Sequence, residues 1–198
     1  MYIINNLKIK MKIFKFFTTN IFIIASLFVP SFVFVDAGSD FEYTTNSDAV
    51  SVTISSYAGE GGHVNIPSSV TEGEDVYAVT AIGDYAFAGK TTITSVTIPD
   101  SLTHIGSGAF IATGLESIDI PNSVTHIGDQ AFSSTNITFV IIPDSVTYIG
   151  PDAFPALETL TIGGGVKEIN HRILYPIENL TNLTLSEGLE KIGSAAFS

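Results

Sequence analysis

The sequence predicts a repeat solenoid, built mostly from short parallel β-strands with short helical turns, and two observations support this prediction. The first is a block of about 22 residues whose best three copies read IPDSLTHIGSGAF, IPNSVTHIGDQAF and IPDSVTYIGPDAF. The second is a pair, usually Ile-Gly, that recurs every 20 to 23 residues. These pairs begin at Ile82, Ile105, Ile127, Ile149 and Ile192, and Ile169-Asn170 fills the remaining slot.

The first element, residues 1–37, has the organisation of a secretory signal peptide. Four lysines precede an apolar run over 16–35, and a Val-x-Ala cleavage site follows that ends at Ala37. We therefore expect cleavage after Ala37 and a secreted or cell-surface protein. The alternative is an uncleaved membrane anchor, because the run approaches the length that spans a bilayer.

The next elements prepare the first repeat. Residues 38–46 are polar, and we expect a flexible lead-in. Residues 47–78 are predicted to form an N-terminal β cap and the start of the first repeat, because alternation over 49–57 is typical of a strand. After a glycine turn, a second strand over 63–66 is expected to return, and residues 72–75 are an insertion.

The remaining elements, residues 79–198, are the repeats. In the copy around residues 115–121, apolar positions predict a short strand that Pro121 ends, with Ser117 and Asp119 on the outer side. A helical turn is expected at 129–132. Stacked copies should then align phenylalanines in one internal row. The row is expected to contain Phe110, Phe132 and Phe154.

The three best copies, at 98–110, 120–132 and 142–154, resemble the BspA-like, or Treponema-type, leucine-rich repeat family. The motif is specific, since proline after the strand and Ala-Phe after the glycine replace the asparagine ladder of other leucine-rich repeats. The chain departs from the family where Lys90 stands in place of a frequent cysteine. The resemblance implies a leucine-rich-repeat right-handed superhelix on secreted or surface proteins, commonly associated with adhesion to host proteins or other cells.

The fifth repeat departs from the pattern, because Gly163–Gly165 replace Pro-Asp-Ser, Asn170 replaces glycine and Leu174 replaces phenylalanine. We expect a local bulge there. The last repeat is expected to expose its edge just after Phe197. Such an edge is expected of a truncated piece of a longer repeat protein or of an end that self-associates.

Composition excludes several classes of function. Without residues 1–37 the chain keeps 4 basic and 19 acidic residues, a net charge of −15, which disfavours a nucleic-acid partner. Cysteine is absent, so disulfides and cysteine-based catalysis or metal binding are excluded.

His104 and His126 occupy the same slot of adjacent repeats and are expected to stack. The slot continues with Tyr148, Glu168 and Lys191, so the histidines lack the further ligands that a metal needs, and we predict a surface ladder with no metal and no cofactor.

The serines do not indicate catalysis. Ser101, Ser123 and Ser145 recur at one turn position, where we expect each hydroxyl to bond the local backbone. An active site gathers unlike groups and so breaks a repeat's symmetry, and the sequence shows no such set. We therefore expect no enzyme activity.

The candidate partner contacts are Phe139, Ile141, Asp119, Thr159 and Thr161. Outward strand positions are polar in the neighbouring repeats but become Phe139 and Ile141 in the fourth, which is typical of an interface anchor. The alternative is that Phe139 fills a dip in the curve.

Three functions remain open from the sequence. The first is an exported binding module for a protein or glycan on another cell or matrix. The second is a structural spacer or stalk, and the third and weakest is a carbohydrate-active enzyme on a β-solenoid. Asn136, Asn179 and Asn182 begin N-x-T sequons, which indicate glycosylation only in a eukaryotic source.

Overall fold

The computed structural model describes residues 33–35, 39–155, 157–169, 172–173, 178–193 and 196. The signal segment apart from 33–35, the departures at Asn170 and Leu174, and Phe197 lie outside these residues. In the described part of the chain, no helix has the length and apolar character needed to cross a membrane.

Fifteen strands are present in the described residues, and most are short. They are β1 (Val33–Val35), β2 (Phe41–Thr45), β3 (Ser51–Tyr57), β4 (Gly62–Asn65), β5 (Ser69–Glu72), β6 (Asp75–Ile82), β7 (Ile93–Thr97), β8 (His104–Ile105), β9 (His126–Ile127), β10 (Phe139–Ile142), β11 (Tyr148–Ile149), β12 (Thr159–Ile162), β13 (Glu168–Ile169), β14 (Asn182–Leu185) and β15 (Lys191–Ile192).

The strands of the successive coils stack in parallel, which confirms the predicted solenoid. On one side, β3, β6, β8, β9 and β11 pair in that order, and the isoleucine of each Ile-Gly pair lies opposite the next, as Ile105 lies opposite Ile127. On the other side, β4 pairs with β7, and β10, β12 and β14 form a second group. We number the coils from the N terminus as 52–66, 79–98, 102–120, 124–142, 146–162 and 166–185.

The core between the two sides consists of aligned aliphatic and phenyl side chains. Phe87, Phe110, Phe132 and Phe154 are almost completely buried. Their ring centroids follow one another at 4.8, 5.4 and 5.5 Å in near-parallel stacks. The predicted row of phenylalanines is thus confirmed. Burying one such ring stabilises the fold by about 1.5–3 kcal/mol, so the row is a major part of the core's stability.

The loops between the two sides contain turns instead of the expected helical turns. The backbone there takes a left-handed conformation at one repeated slot, occupied by Tyr85, Gly108, Gln130 and Asp152. Amide groups donate to carbonyls of the next coil, as Phe110 N does to Ala131 O at 2.8 Å. Amides between these bond within their own turn, as Ala109 N does to Gly106 O at 3.3 Å. Because only every second amide bonds locally, the continuous internal hydrogen bonds of a helical turn do not form.

Order begins earlier than expected, and the prediction of a flexible lead-in is wrong for residues 41–45. These residues form β2, which pairs antiparallel with β3. Tyr43 is buried, and the ring of Phe41 lies 5.1 Å from that of Tyr57. The lead-in therefore covers the exposed edge of the first coil, which is what a solenoid end requires.

The expectation that a strand over 63–66 returns after the glycine turn is also wrong. The strand found there, β4, does not fold back on β3 but pairs in parallel with β7 of the next coil. Tyr57 takes the phenylalanine slot, with its ring 5.2 Å from that of Phe87. Residues 52–66 are thus an incomplete coil, and the predicted insertion at 72–75 is the tip of the β5–β6 hairpin.

In coil 3, residues 115–120 keep the predicted alternation of exposure but are not a strand. Leu115 and Ile120 are buried, while Ser117 and Asp119 are exposed. Hydrogen bonds tie the beginning of the segment to its neighbours, from Glu116 N to Thr94 O at 3.3 Å and from Asn136 N to Leu115 O at 2.8 Å. The parallel ladder on this side is therefore interrupted between β7 and β10.

Candidate binding surface on the strand face

The outward positions of the longer strands and of the coil 3 segment form a surface that we call the strand face. Alternation along a strand places every second side chain on this surface. The strand register aligns these side chains in two columns within coils 1–2 and coils 4–6, and Ser117 and Asp119 of coil 3 hold the equivalent positions of the repeat. The first column is His63, Ser95, Ser117, Phe139, Thr159 and Asn182, and the second is Asn65, Thr97, Asp119, Ile141, Thr161 and Thr184.

Phe139 and Ile141 are the apolar members of these columns. They are 52% and 54% exposed, whereas Val140 and Ile142 between and beyond them are buried in the core. Phe139 lies opposite Thr159 and Ile141 opposite Thr161 in the parallel ladder. The structure therefore places four of the five predicted contact residues side by side on β10 and β12.

A groove crosses the strand face near the C-terminal ends of the strands. Its volume is about 690 Å³, and residues from coils 2 to 6 line it. Three predicted contacts, Asp119, Ile141 and Thr161, are in the lining, whereas Phe139 and Thr159 precede them on the strands. The lining also includes Thr97, Asp100, Pro121, Asn122, Pro143, Asp144, Gly163 and Ser186.

The groove is acidic. Its charged lining residues are Asp100, Asp119 and Asp144, and no lysine or arginine of the described chain lines it. Asp144 also has a structural role, because its Oδ1 accepts a hydrogen bond from Gly164 N at 2.8 Å. The negative potential is therefore not neutralised by a cationic side chain within the lining itself.

The basic residues nearest the C-terminal coils are engaged elsewhere. Arg172 binds both carboxylate oxygens of Asp152, at 2.6 and 3.0 Å. Lys191 forms an ion pair with Glu168. Lys167 donates to the carbonyls of Gly164 and Gly188 at 3.1 and 3.2 Å. These contacts hold the cations at the junctions between coils.

His63 is a strand-face residue that sequence reasoning did not identify. Its Nδ1 lies 2.8 Å from Ser95 Oγ, and its Nε2 lies 3.1 Å from Thr97 Oγ1. The ring thus links two hydroxyls of the next coil. The signal was the Ile-Pro pair at Ile66, which aligns with the pair at Ile98 and places His63 opposite Ser95.

On the opposite side of the solenoid, His104, His126 and Tyr148 form the predicted ladder. The ring centroids are 5.5 Å apart for the histidine pair and 4.4 Å apart for His126 and Tyr148. Burial, and then the positive charge of His104, lowers the pKa of His126, against an opposing effect of Asp129. The described residues contain no cluster of three or more metal-ligating side chains.

The pKa of Tyr148 is raised, first by burial and then by the negative charge of Asp129, which also accepts a hydrogen bond from the phenol at 3.4 Å. Both shifts favour the neutral form of the ring. Neutral stacked rings are what the ladder needs to pack closely.

The repeated serines bond differently from the prediction. Ser101 Oγ donates to Val79 O and Ser145 Oγ to Val124 O, both at 2.7 Å. These acceptors belong to the preceding coil and not to the local turn. The hydroxyls of Ser101 and Ser145 therefore join coils, which accounts for serine at these two positions, whereas the buried Ser123 Oγ makes no such bond.

The sequence model described as the BspA type leucine rich repeat region matches residues 80–198 in six copies. No curated protein matches the chain. Among solved structures, a leucine rich repeat protein of T. pallidum is similar with a TM-score of 0.60 at 24% identity, covering 78% of this chain and 83% of that one.

The pneumococcal vaccine antigen PcpA is similar with a TM-score of 0.59 at 20% identity. The match covers 83% of this chain and 51% of the antigen, so the chain spans about half of that structure's length. At these identities the two structures support the fold.

Proposed function

The chain belongs to the BspA-type leucine-rich repeat family, and from that premise we propose that it is an adhesion-type binding module, secreted or on the cell surface. Its strand face receives a protein or glycan of another cell or matrix. Repeat proteins of this family are generally not enzymes, and we propose binding without catalysis for this chain as well. The signal segment predicted at 1–37 supports export.

The observation that carries the proposal is the exposed pair Phe139 and Ile141, of which Ile141 lines the groove and Phe139 precedes it on the same strand. The other described members of the two strand-face columns are polar, so this pair is the apolar centre of a polar surface. Interfaces commonly have this organisation, with a few apolar anchors surrounded by polar contacts. Exposing about half of each side chain to water has a free-energy cost that a bound partner removes.

A spacer is the second candidate, and the hydrogen bonds between coils favour it. Threonine hydroxyls of successive coils, from Thr103, Thr125 and Thr147, each donate to a carbonyl of the coil before. Such a regular ladder stiffens the molecule whether or not a partner binds. A spacer, however, gives no reason for an apolar pair on its polar face.

Replacing both Phe139 and Ile141 by serine separates the two candidates. A binding module loses at least about tenfold in affinity for its cells or matrix, because central anchors contribute most of the binding energy. Thermal stability changes little, since both side chains are exposed. Binding of the purified protein to host or neighbouring cells is the measurement.

The matched control is Val76→Ser, which removes a similarly exposed apolar side chain from the β5–β6 hairpin. It should leave binding unchanged. Equal binding by the control, the double variant and the unaltered protein would contradict a binding role of this face and favour the spacer.

A further inference from the structure

The groove has the dimensions of an extended peptide. Its lining residues lie in coils 2 to 5, in the turns that follow these coils, and at Ser186 just after coil 6, so they span four strand spacings, or about 19 Å. An extended chain advances about 3.3 Å per residue, so the groove accommodates about six residues of peptide lying across the strands.

The charges of the lining determine which ligand is complementary. Asp100, Asp119 and Asp144 are contributed by three successive coils, and the described lining contains no cation to neutralise them. An acidic glycan or an acidic peptide is repelled by such a surface. A neutral glycan can donate hydroxyl hydrogen bonds to the carboxylates but does not neutralise their charge, and no aromatic residue of the described chain lines the groove to stack on its sugar rings.

The apolar part of the lining sets a second requirement. Ile141 is 54% exposed at the middle coil of the five, and Pro121 and Pro143 add further apolar surface to the lining. Thr97 and Thr161 add hydroxyls on either side. A ligand that matches all of these features has an apolar side chain at its centre and basic side chains around it.

We propose that the groove binds an extended, basic segment of a partner protein, seating an apolar side chain on Ile141 and lysine or arginine side chains against Asp100, Asp119 and Asp144. This inference rests on the proposed function and specifies its partner. A second copy of this chain is a poor occupant, because the chain has a net charge of −12 and its cations at Lys167, Arg172 and Lys191 are engaged at coil junctions.

The test uses the secreted chain and a fluorescein-labelled nonapeptide with leucine at its centre, lysine or arginine at alternate positions and threonine elsewhere. Fluorescence anisotropy should detect binding that weakens as NaCl rises from 0.05 to 0.5 M, because the contacts are exposed and screened. A peptide with glutamate in place of each basic residue should not bind. A peptide with serine in place of leucine should bind more weakly.

The decisive variant combines Asp100→Asn with Asp119→Asn, which keep the side-chain shape and leave the hydrogen bond of Asp144 intact. Two exposed ion pairs are lost, and the affinity for the basic peptide should fall about fivefold to twentyfold. The control combines Glu72→Gln with Glu190→Gln, two exposed acids outside the lining, and should bind as the unaltered protein does.

The outcomes separate this inference from the proposed function. If the Phe139 and Ile141 variant loses cell binding but the basic peptide does not bind, the binding role stands and the basic partner is wrong. Binding of a neutral oligosaccharide in the groove, or a dimer by sedimentation that excludes the peptide, also overturns the inference. If the asparagine variant and its control lose the same affinity for the basic peptide, the peptide is attracted by the overall negative charge of the protein and not by the groove.

Discussion

Phe132 shows what one residue contributes to a stack of coils. Its ring lies between those of Phe110 and Phe154 at 5.4 and 5.5 Å and is buried on both faces by the same side chain of the neighbouring coils. The environment of Phe132 is thus supplied by the same type of side chain on both faces. A defect at one position is consequently felt in three coils.

Phe132→Ala should lower the free energy of unfolding by about 3–5 kcal/mol, because a large cavity opens in a row that the backbone ladders prevent from closing. Urea denaturation measures the change. Phe139→Ala, which truncates the same side chain on the exposed face, is the control and should stay within about 0.5 kcal/mol. Similar losses for both variants would contradict the assignment of the two phenylalanines to core and surface.

Acid should weaken the ring ladder through His126. Its folded-state pKa is lowered by burial and by His104, so the unfolded chain takes up a proton first as pH falls. The ladder's stability is therefore fully present above the ordinary histidine pKa of about 6.5 and is lost as pH falls through the folded value. His126→Gln should lose less stability between pH 8 and pH 5.5 than the unaltered protein, measured by urea denaturation at each pH.

Asn65→Gln, a change at an exposed residue on the opposite side that does not titrate, is the control for that comparison and should keep the pH dependence of the unaltered protein. If His126→Gln and the unaltered protein lose the same stability on acidification, the ladder is not the pH-sensitive element.

At the scale of elements, β2 covers the N-terminal edge of the first coil. The antiparallel pairing of β2 with β3 places Phe41 and Tyr43 over the first coil and extends the aromatic row through Tyr57. Without β2, the outer edge of β3 and the ring of Tyr57 would face water. The element that looks most dispensable in the sequence thus protects the edge of the whole stack.

Removing residues 39–45 should destabilise the protein by about 2–4 kcal/mol, the range for losing one or two large buried side chains. Hydrogen exchange should rise first at the amides of β3. The matched control replaces the exposed hairpin tip, residues 72–75, by a two-residue turn. This change should lower the free energy of unfolding much less. If neither stability nor exchange at β3 changes, residues 39–45 are the flexible lead-in that the sequence predicts.

The elements that sequence reasoning predicted are those with repeated side chains. Ile105, Ile127 and Phe132 recur at fixed offsets, so their alignment followed from the period alone. The strand over 41–45 lacks the Ile-Gly and Ala-Phe pairs, although Phe41 and Tyr43 alternate as a strand requires. The loops could not be predicted, because whether an amide such as Phe110 N bonds its own turn or the next coil depends on a neighbour that is distant in sequence.

The same limit applies to the candidate site. Period-two alternation was sufficient to place Phe139 and Ile141 outward on one strand. The groove and the position of His63 depend on which coil lies beside which, and of the repeat signature coil 1 carries only the Ile-Pro pair at Ile66. The predicted contacts themselves stay predictions until binding is measured.

For the whole molecule, acidity opposes compactness. The chain carries a net charge of −12, and several carboxylates lie on surfaces without a cation in the same lining. Repulsion of this kind keeps a protein soluble and monomeric but lowers the stability of its folded state. The core and the ladders between coils have to outweigh it.

Raising NaCl from 0.02 to 0.5 M should therefore raise Tm by about 2–4 °C, equivalent to roughly 1 kcal/mol of relieved repulsion. Differential scanning calorimetry at constant pH is the measurement. Choline chloride at the same ionic strength should give the same rise, since the effect is screening and not sodium binding. A falling or constant Tm would mean that attractive pairs such as Arg172 with Asp152 dominate the surface.

The constant register between neighbouring coils, with Ile105 opposite Ile127 and Ile127 opposite Ile149, has a consequence for how such a protein can change over generations. An in-frame duplication of one period adds a rung whose side chains fit those above and below, and it lengthens the groove by about 4.8 Å. Duplication of a gene segment can thus change the length of the binding surface without altering any existing contact between coils.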